Sequence, residues 1–108
     1  MPHSLWIDPQ GTLYVCDREN NRIQVFTATG QYLTQWTDIH RPTDIYMDAQ
    51  DIVYISDLKP AVTLMNKQGH VIARWDSPMG HGLWVDSVGD IYLADVLGKG
   101  ITKYVRKR

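Results

Sequence analysis

The sequence repeats itself at intervals of about 40 residues. The stretch HSLWIDPQGTLYVCD at 3–17 returns as TDIYMDAQDIVYISD at 43–57 and as HGLWVDSVGDIYLAD at 81–95. The matched positions include aspartates, tyrosines and the apolar residues between them. A chain made of such copies is expected to fold as a row of similar units, each of which buries its apolar faces against its neighbours.

Each copy is predicted to form short strands. Apolar and polar residues alternate in LYV, IQVF and YLTQW, and turn-forming residues separate these runs in DPQG, DRENN and TATG. The first copy predicts strands near 4–8, 12–16, 22–27 and 31–36, and the other copies predict their equivalents. Four short strands in a repeat of this length are typical of a β-propeller blade, so we expect an all-β fold.

The stretch DRENNRIQVF, followed by Gly30, resembles the NHL repeat, whose blades read Asp-x-x-Asn-x-Arg-Ile-x-x-Phe. This resemblance implies a propeller of six blades, of which the chain supplies three, at 2–40, 41–79 and 80–108. The second and third copies lack the Asn and Arg of the motif, and the third ends before a fourth strand. The predicted architecture is therefore half of a six-bladed propeller.

A narrower resemblance comes from PHSLW together with DRENNRIQ. These stretches resemble the peptidyl-hydroxyglycine amidating lyases and their bacterial relatives, of which the chain would be the C-terminal half. In that family, histidines at the starts of the inner strands bind a metal in the central channel. The resemblance implies the same role for His3 and His81, which align with Thr43 at the tunnel mouth.

A third histidine, two blades further on, would complete a three-histidine zinc site with an open position. The chain has no such blade, so the alternative is that His3 and His81 are polar residues of the tunnel mouth. No position matches the arginine and tyrosine that the lyases also use, and we assign no catalytic residue. We expect no cofactor, with zinc at the two histidines as the alternative.

Other candidate residues have structural explanations. Asp17 and Arg22 are spaced to pair across the turn between the second and third strands. The aromatic residues at one matched position of the first strand are predicted to pack blade against blade; they are Trp6, Tyr46 and Trp84. Cys16 aligns with small residues in the other copies and is predicted to fill space in the core.

Composition narrows the partners and the compartment. A net charge of -1 provides no general attraction to nucleic acid or to an anionic membrane, and we expect to find neither as a partner. No apolar run approaches the roughly 18 residues of a membrane helix, so we expect a soluble protein. The single cysteine excludes an internal disulfide, which together with the lack of a signal peptide favours the cytoplasm.

Two classes of function remain. The first is a binding or assembly scaffold, in which two copies close a six-bladed ring by placing blade three of each against blade one of the other, with a protein or small molecule as ligand. The expected open faces carry Leu5, Trp6 and Ile7 at one end and Leu83, Val85 and Tyr92 at the other. The second class is a metal-dependent carbon–nitrogen lyase, or a fragment of one, which this chain alone would not complete. The homodimer would place its four histidines in blades one, three, four and six, never three in alternate blades, and this favours the scaffold.

Overall fold

A computed structural model of the chain describes residues 4–59, 61–77, 80–95 and 100–106, apart from the side chains of His81 and Asp95. Within these ranges the secondary structure consists of 11 strands and one short 3-10 turn, Arg18–Asn20, without an α-helix. The strands form three antiparallel sheets, each built from consecutive segments of the chain.

The first two sheets have four strands each, hydrogen-bonded in chain order. Sheet 1 contains β1 (Ser4–Ile7), β2 (Leu13–Asp17), β3 (Arg22–Phe26) and β4 (Tyr32–Trp36). Sheet 2 contains β5 (Pro42–Met47), β6 (Val53–Asp57), β7 (Ala61–Met65) and β8 (Val71–Asp76). Sheet 3 has three strands, β9 (Gly80–Val85), β10 (Ile91–Asp95) and β11 (Ile101–Tyr104).

The sheets stack face to face, and alternation of side chains gives each sheet two faces. We call the face of sheet 1 that points toward sheet 2, and the equivalent face of sheets 2 and 3, the front. The opposite face of each sheet is the back. The front of sheet 1 meets the back of sheet 2 in a buried core formed by Tyr14, Cys16, Ile23, Val25, Trp36, Ile39, Ile45, Met47, Val53, Ile55 and Met65. The front of sheet 2 meets the back of sheet 3 in a second core formed by Tyr54, Val62, Leu83, Val85, Ile91 and Leu93.

Sheet 2 is therefore covered on both faces, and every residue of β6 is buried. This explains why VYIS is nearly continuous in apolar residues, whereas a sheet with one wet face would alternate. The first strands of the sheets, β1, β5 and β9, lie next to one another along one edge of the stack. Consecutive four-stranded sheets with neighbouring inner strands are blades of a β-propeller, so the all-β propeller fragment predicted from the repeat is confirmed. The last blade has three strands in the ranges that the structure describes.

The same hydrogen-bonded clamp closes the turn between the first two strands of every sheet. In sheet 2, Asp48 accepts backbone hydrogen bonds from Gln50 (2.9 Å) and Ile52 (3.0 Å), and its other oxygen accepts the Tyr54 hydroxyl at 2.8 Å. Sheets 1 and 3 repeat the aspartate–tyrosine bond with Asp8–Tyr14 and Asp86–Tyr92. The clamp explains why the repeat keeps an aspartate and a tyrosine six residues apart.

The clamp predicts a loss of stability at alkaline pH. Burial and the hydrogen bond to Asp48 raise the pKa of Tyr54 to about 12 from 10.0. Because the folded pKa lies above the unfolded one, the contribution of Tyr54 is complete below pH 10 and is lost as the pH rises toward 12. We expect Tyr54→Phe to flatten this part of the stability profile in urea titrations, and at pH 7 to cost about 1–3 kcal/mol because Asp48 loses a donor. Equal alkaline slopes in the two proteins would contradict the clamp.

Candidate functional site

The inner edge of the stack carries the residues that the sequence singles out for metal binding. His3 lies outside the described residues, and His81 lies in β9 with its side chain outside them. Their repeat equivalent, Thr43, is buried, with its hydroxyl 2.8 Å from both the Gly80 carbonyl oxygen and the Ser56 hydroxyl. In the described part of the chain, no group of three His, Cys, Asp or Glu side chains could hold a metal ion. The metal site therefore stays a prediction of the sequence.

Asp44, beside Thr43, ties the three inner strands together. One carboxylate oxygen accepts the Ser4 hydroxyl of β1 at 2.8 Å, and the other accepts the backbone N–H of Leu83 in β9 at 2.9 Å. Sequence reasoning missed this residue because its equivalents in the other copies are Ser4 and Gly82, so no repeated carboxylate marks the position. Burial and the negative charge of Asp44 raise the pKa of the Cys16 thiol, which suits a core side chain rather than a nucleophile.

The structure brings the three strand-one aromatics into one row. The ring centroids of Trp6 and Tyr46 are 4.9 Å apart, and those of Tyr46 and Trp84 are 5.2 Å apart, both at tilted angles that aromatic pairs favour. Trp6 packs against the first core and Tyr46 against the second. Trp84 occupies the same position in sheet 3 and remains 59% exposed. The row therefore ends on a ring that is still open to solvent.

Asp17 and Arg22 form an ion pair across the turn between β2 and β3. The Nε atom of Arg22 lies 2.8 Å from the carboxylate, and the side-chain amide of Asn20 donates to both oxygens at 3.1 Å. Burial would raise the pKa of Asp17, but the bonds from Arg22 and Asn20 outweigh it and lower the pKa. The arrangement fixes the turn.

Asp57 takes the place of Asp17 in sheet 2, where no arginine follows. Its carboxylate accepts the backbone N–H of Lys59 at 3.0 Å and those of His40 and Ala61. Burial raises its pKa despite these bonds. Asp57 lines a polar cleft of about 450 Å³, in which Arg74 is hydrogen-bonded to Asp38 and to Thr63. Backbone amides thus replace the missing arginine, and the cleft's buried carboxylate is already satisfied.

The two ends of the stack leave apolar faces exposed. Leu5, on the back of sheet 1, is 56% exposed, whereas its repeat equivalents Ile45 and Leu83 are 3% and 6% exposed because a preceding sheet covers them. Ile7 is exposed in the same way, beside the partly buried Leu13, Val15 and Phe26. The front of sheet 3 exposes Trp84 and Ile101. Each end therefore presents the kind of surface that is buried at the two internal interfaces.

This geometry corrects the residues predicted for the open faces. Trp6 packs against the first core, and Leu83 and Val85 are buried in the second, so all three were wrongly placed on the ends. Alternation explains the error, because Trp6 points to the opposite side of β1 from Leu5 and Ile7. Among the described side chains of β9, Trp84 is exposed, and the prediction does not include it in the open face.

In the part of the chain that the structure describes, no helix is long and apolar enough to cross a membrane.

Comparison with known sequences points to one repeat family. The family model described as NHL repeat matches residues 1–26. The human and mouse proteins named NHL repeat-containing protein 3 are each 28% identical over 122 residues, covering 97% of this chain and 35% of the relative. The chain thus spans about a third of the length of the curated relatives it matches.

Solved structures match the fold over nearly the whole chain. A virginiamycin B lyase from Staphylococcus aureus superposes with a TM-score of 0.76 at 14% identity, covering 99% of this chain and 42% of the lyase. A protein of unknown function from Bacteroides caccae gives a TM-score of 0.78 at 12% identity, covering 92% of this chain and 43% of its own length. Identity at this level shows the fold alone, and in each case the chain corresponds to less than half of the matched structure.

Proposed function

We propose that this chain, which carries an NHL repeat and the fold of a β-propeller fragment, is an assembly module that closes a six-bladed ring by pairing with a second copy. The front of sheet 3 in one copy packs on the back of sheet 1 in the other, and the reverse contact closes the ring. The ring then serves as a binding scaffold rather than as a catalyst.

The observation that carries this proposal is the contrast in exposure at equivalent positions. Among the described residues a preceding sheet covers Ile45 and Leu83, whereas none of the three sheets lies behind Leu5. An exposed apolar face of this kind marks an interaction surface. The two open faces are also of opposite kinds, a front and a back, and the chain itself pairs a front with a back twice.

The second copy would continue the packing that already exists within the chain. Trp84 would lie beside Trp6 of the second copy, which extends the aromatic row around the ring. Two three-bladed copies related by a two-fold axis would supply the six blades that the NHL resemblance implies. Blades from a longer polypeptide could cover the same faces, because the matched structures extend well beyond this chain.

The solution mass of this 108-residue chain tests the proposal. We expect light scattering to give twice the chain mass of 12.4 kDa, with a β-sheet circular dichroism spectrum. Association shifts with concentration, so the mass is measured across a dilution series. A folded protein that keeps the monomer mass at the highest concentration would refute pairing between copies and leave further blades of a longer polypeptide as the cover.

A further inference from the structure

The polar cleft beside Asp57 lies between sheets 1 and 2. It is bounded by residues 37–40, which link β4 to β5, and by side chains of sheet 2, and its volume is about 450 Å³. Both of these sheets have four strands, and their interface is internal to the stack. Strands added beyond either end of the stack would therefore not fill the cleft.

The equivalent place in sheet 1 holds an arginine side chain. Arg22 stands opposite Asp17 in the strand register, and its Nε atom lies 2.8 Å from the carboxylate. In sheet 2, Ala61 stands opposite Asp57 at the same register position, and both residues line the cleft. A methyl group thus replaces a guanidinium-bearing side chain, which leaves open space beside a carboxylate.

The charge of Asp57 lacks the direct partner that Asp17 has. Asp57 is 2% exposed, and its carboxylate accepts three backbone N–H groups, which satisfy hydrogen bonds but carry no net charge. In the described part of the chain, no cation forms an ion pair with it. Burial raises the pKa of Asp57 against the opposing effects of these bonds and of the Arg74 charge. A buried carboxylate of this kind is stabilised by a cation in contact with it.

Arg74 lines the cleft but is engaged elsewhere. Its Nε atom donates to the Thr63 hydroxyl at 2.9 Å, and its Nη1 atom lies 3.4 Å from the carboxylate of Asp38. Its Nη2 atom donates to the backbone carbonyl of Asp38. The guanidinium of Arg74 is therefore held by the linking segment and by β7, and the space in front of Asp57 stays open.

A second carboxylate stands on the other side of this space. Asp76 of β8 is opposite Ala61 in the register, so Ala61 lies between Asp57 and Asp76 on neighbouring strands, and all three residues line the cleft. In sheet 1, Arg22 itself occupies the middle position of such a row. The row in sheet 2 has the acceptors for a cationic side chain without the side chain.

We propose that the cleft binds the guanidinium group of an arginine-like ligand, which pairs with Asp57 as Arg22 pairs with Asp17. A carboxylate has about four acceptor sites, and the three backbone donors leave one for the ligand. Asp76 provides acceptors for further N–H groups of the ligand. A guanidinium is planar and more weakly hydrated than an ammonium, so it loses less on entering a partly buried site.

Binding is measured by titrating the ¹⁵N-labelled protein with L-arginine and following the backbone amides of Lys59 and Ala61, which donate to Asp57. We expect saturable shifts with a Kd on the order of 1 mM. L-citrulline, in which a neutral urea group replaces the guanidinium, should bind about tenfold more weakly because the charge-assisted bond is lost.

The same chemistry is present in free arginine and in an arginine side chain of another protein. The peptide Gly-Arg-Gly distinguishes these sources, because its arginine has no free amino or carboxyl group. Tighter binding of the peptide than of L-arginine supports a protein ligand, and weaker binding supports a small molecule.

Variants place the site on the protein. Ala61→Arg supplies the guanidinium from the chain itself and should abolish the shifts caused by L-arginine. Leu33→Arg is its control, since Leu33 is 54% exposed on an outer strand and does not line the cleft. Asp76→Asn changes an exposed residue, so it should leave the fold intact and weaken binding about threefold.

The outcomes that contradict the proposal are equally specific. It is overturned by the absence of saturable shifts, by equal binding of L-citrulline, or by unchanged binding in a folded Ala61→Arg protein. If Ala61→Arg does not fold, unchanged binding by Asp76→Asn overturns it. Circular dichroism and solution mass are recorded for every variant, so that a change in folding or in pairing of copies is distinguished from loss of the site. The proposal does not depend on whether the chain forms a ring.

Discussion

Replacing Gly69 with alanine is expected to destabilise the protein severely. The residue has a φ of +82°, a region that L-residues enter at a cost of about 1–2 kcal/mol. Its new methyl group would also lie 2.2 Å from Cδ1 of Trp36, inside a packed core, which adds roughly 1–3 kcal/mol of overpacking. Urea denaturation at one fixed protein concentration should report the sum of the two costs.

Gly30 provides the matched control, because it occupies the same turn of sheet 1. Its φ is +86°, but a methyl group there would meet nothing within 4 Å. Gly30→Ala should therefore show the backbone cost alone. An equal loss of stability in both variants would mean that Gly69 does not press on Trp36.

The second large effect is expected at the open faces. Ile7→Asp places a charge on the back of sheet 1, and Trp84→Asp does so on the front of sheet 3. Each substitution damages both contacts of the proposed ring, so both variants should have the monomer mass in light scattering while keeping β-sheet circular dichroism. Leu33→Asp is the control on an outer strand, and its mass should stay that of two copies.

Mixing the two variants tests the front-to-back arrangement. A pair formed by one Ile7→Asp copy and one Trp84→Asp copy has one intact contact, because the undamaged front of the first meets the undamaged back of the second. We therefore expect mixed pairs in native mass spectrometry where neither variant pairs alone. If each variant still pairs by itself, or if the mixture stays monomeric, the proposed contact is wrong.

Much of the fold could be predicted because the residues that specify each strand and turn lie within a single repeat. The alternation of apolar and polar residues and the turn residues predict β1 to β4 within about a residue of their observed bounds. The other two repeats have the same pattern, so the same strands are predicted in them. The sequence does not reveal which faces end up covered. Leu5, Ile45 and Leu83 are similar apolar residues, and only the neighbouring sheet decides that one of them is exposed.

The features that sequence reasoning missed depend on contacts between the repeats of the chain. Asp44 links three inner strands, yet it stands at a position where the other copies have different residues. The tunnel-mouth histidines, which the resemblance to the lyases singles out, lie outside the described structure or have their side chains outside it.

Front-to-back packing gives the stack a direction, with consequences for larger assemblies. When a surface binds the same surface of a second copy, both are covered in the dimer and no further copy can bind there. When a front binds a back, each added copy leaves one front and one back free for the next copy. The number of copies that can join is then set by the rotation between successive blades. This rotation decides whether the last copy contacts the first and closes a ring. A change that alters this rotation without weakening the contact would convert a closed ring into an open filament.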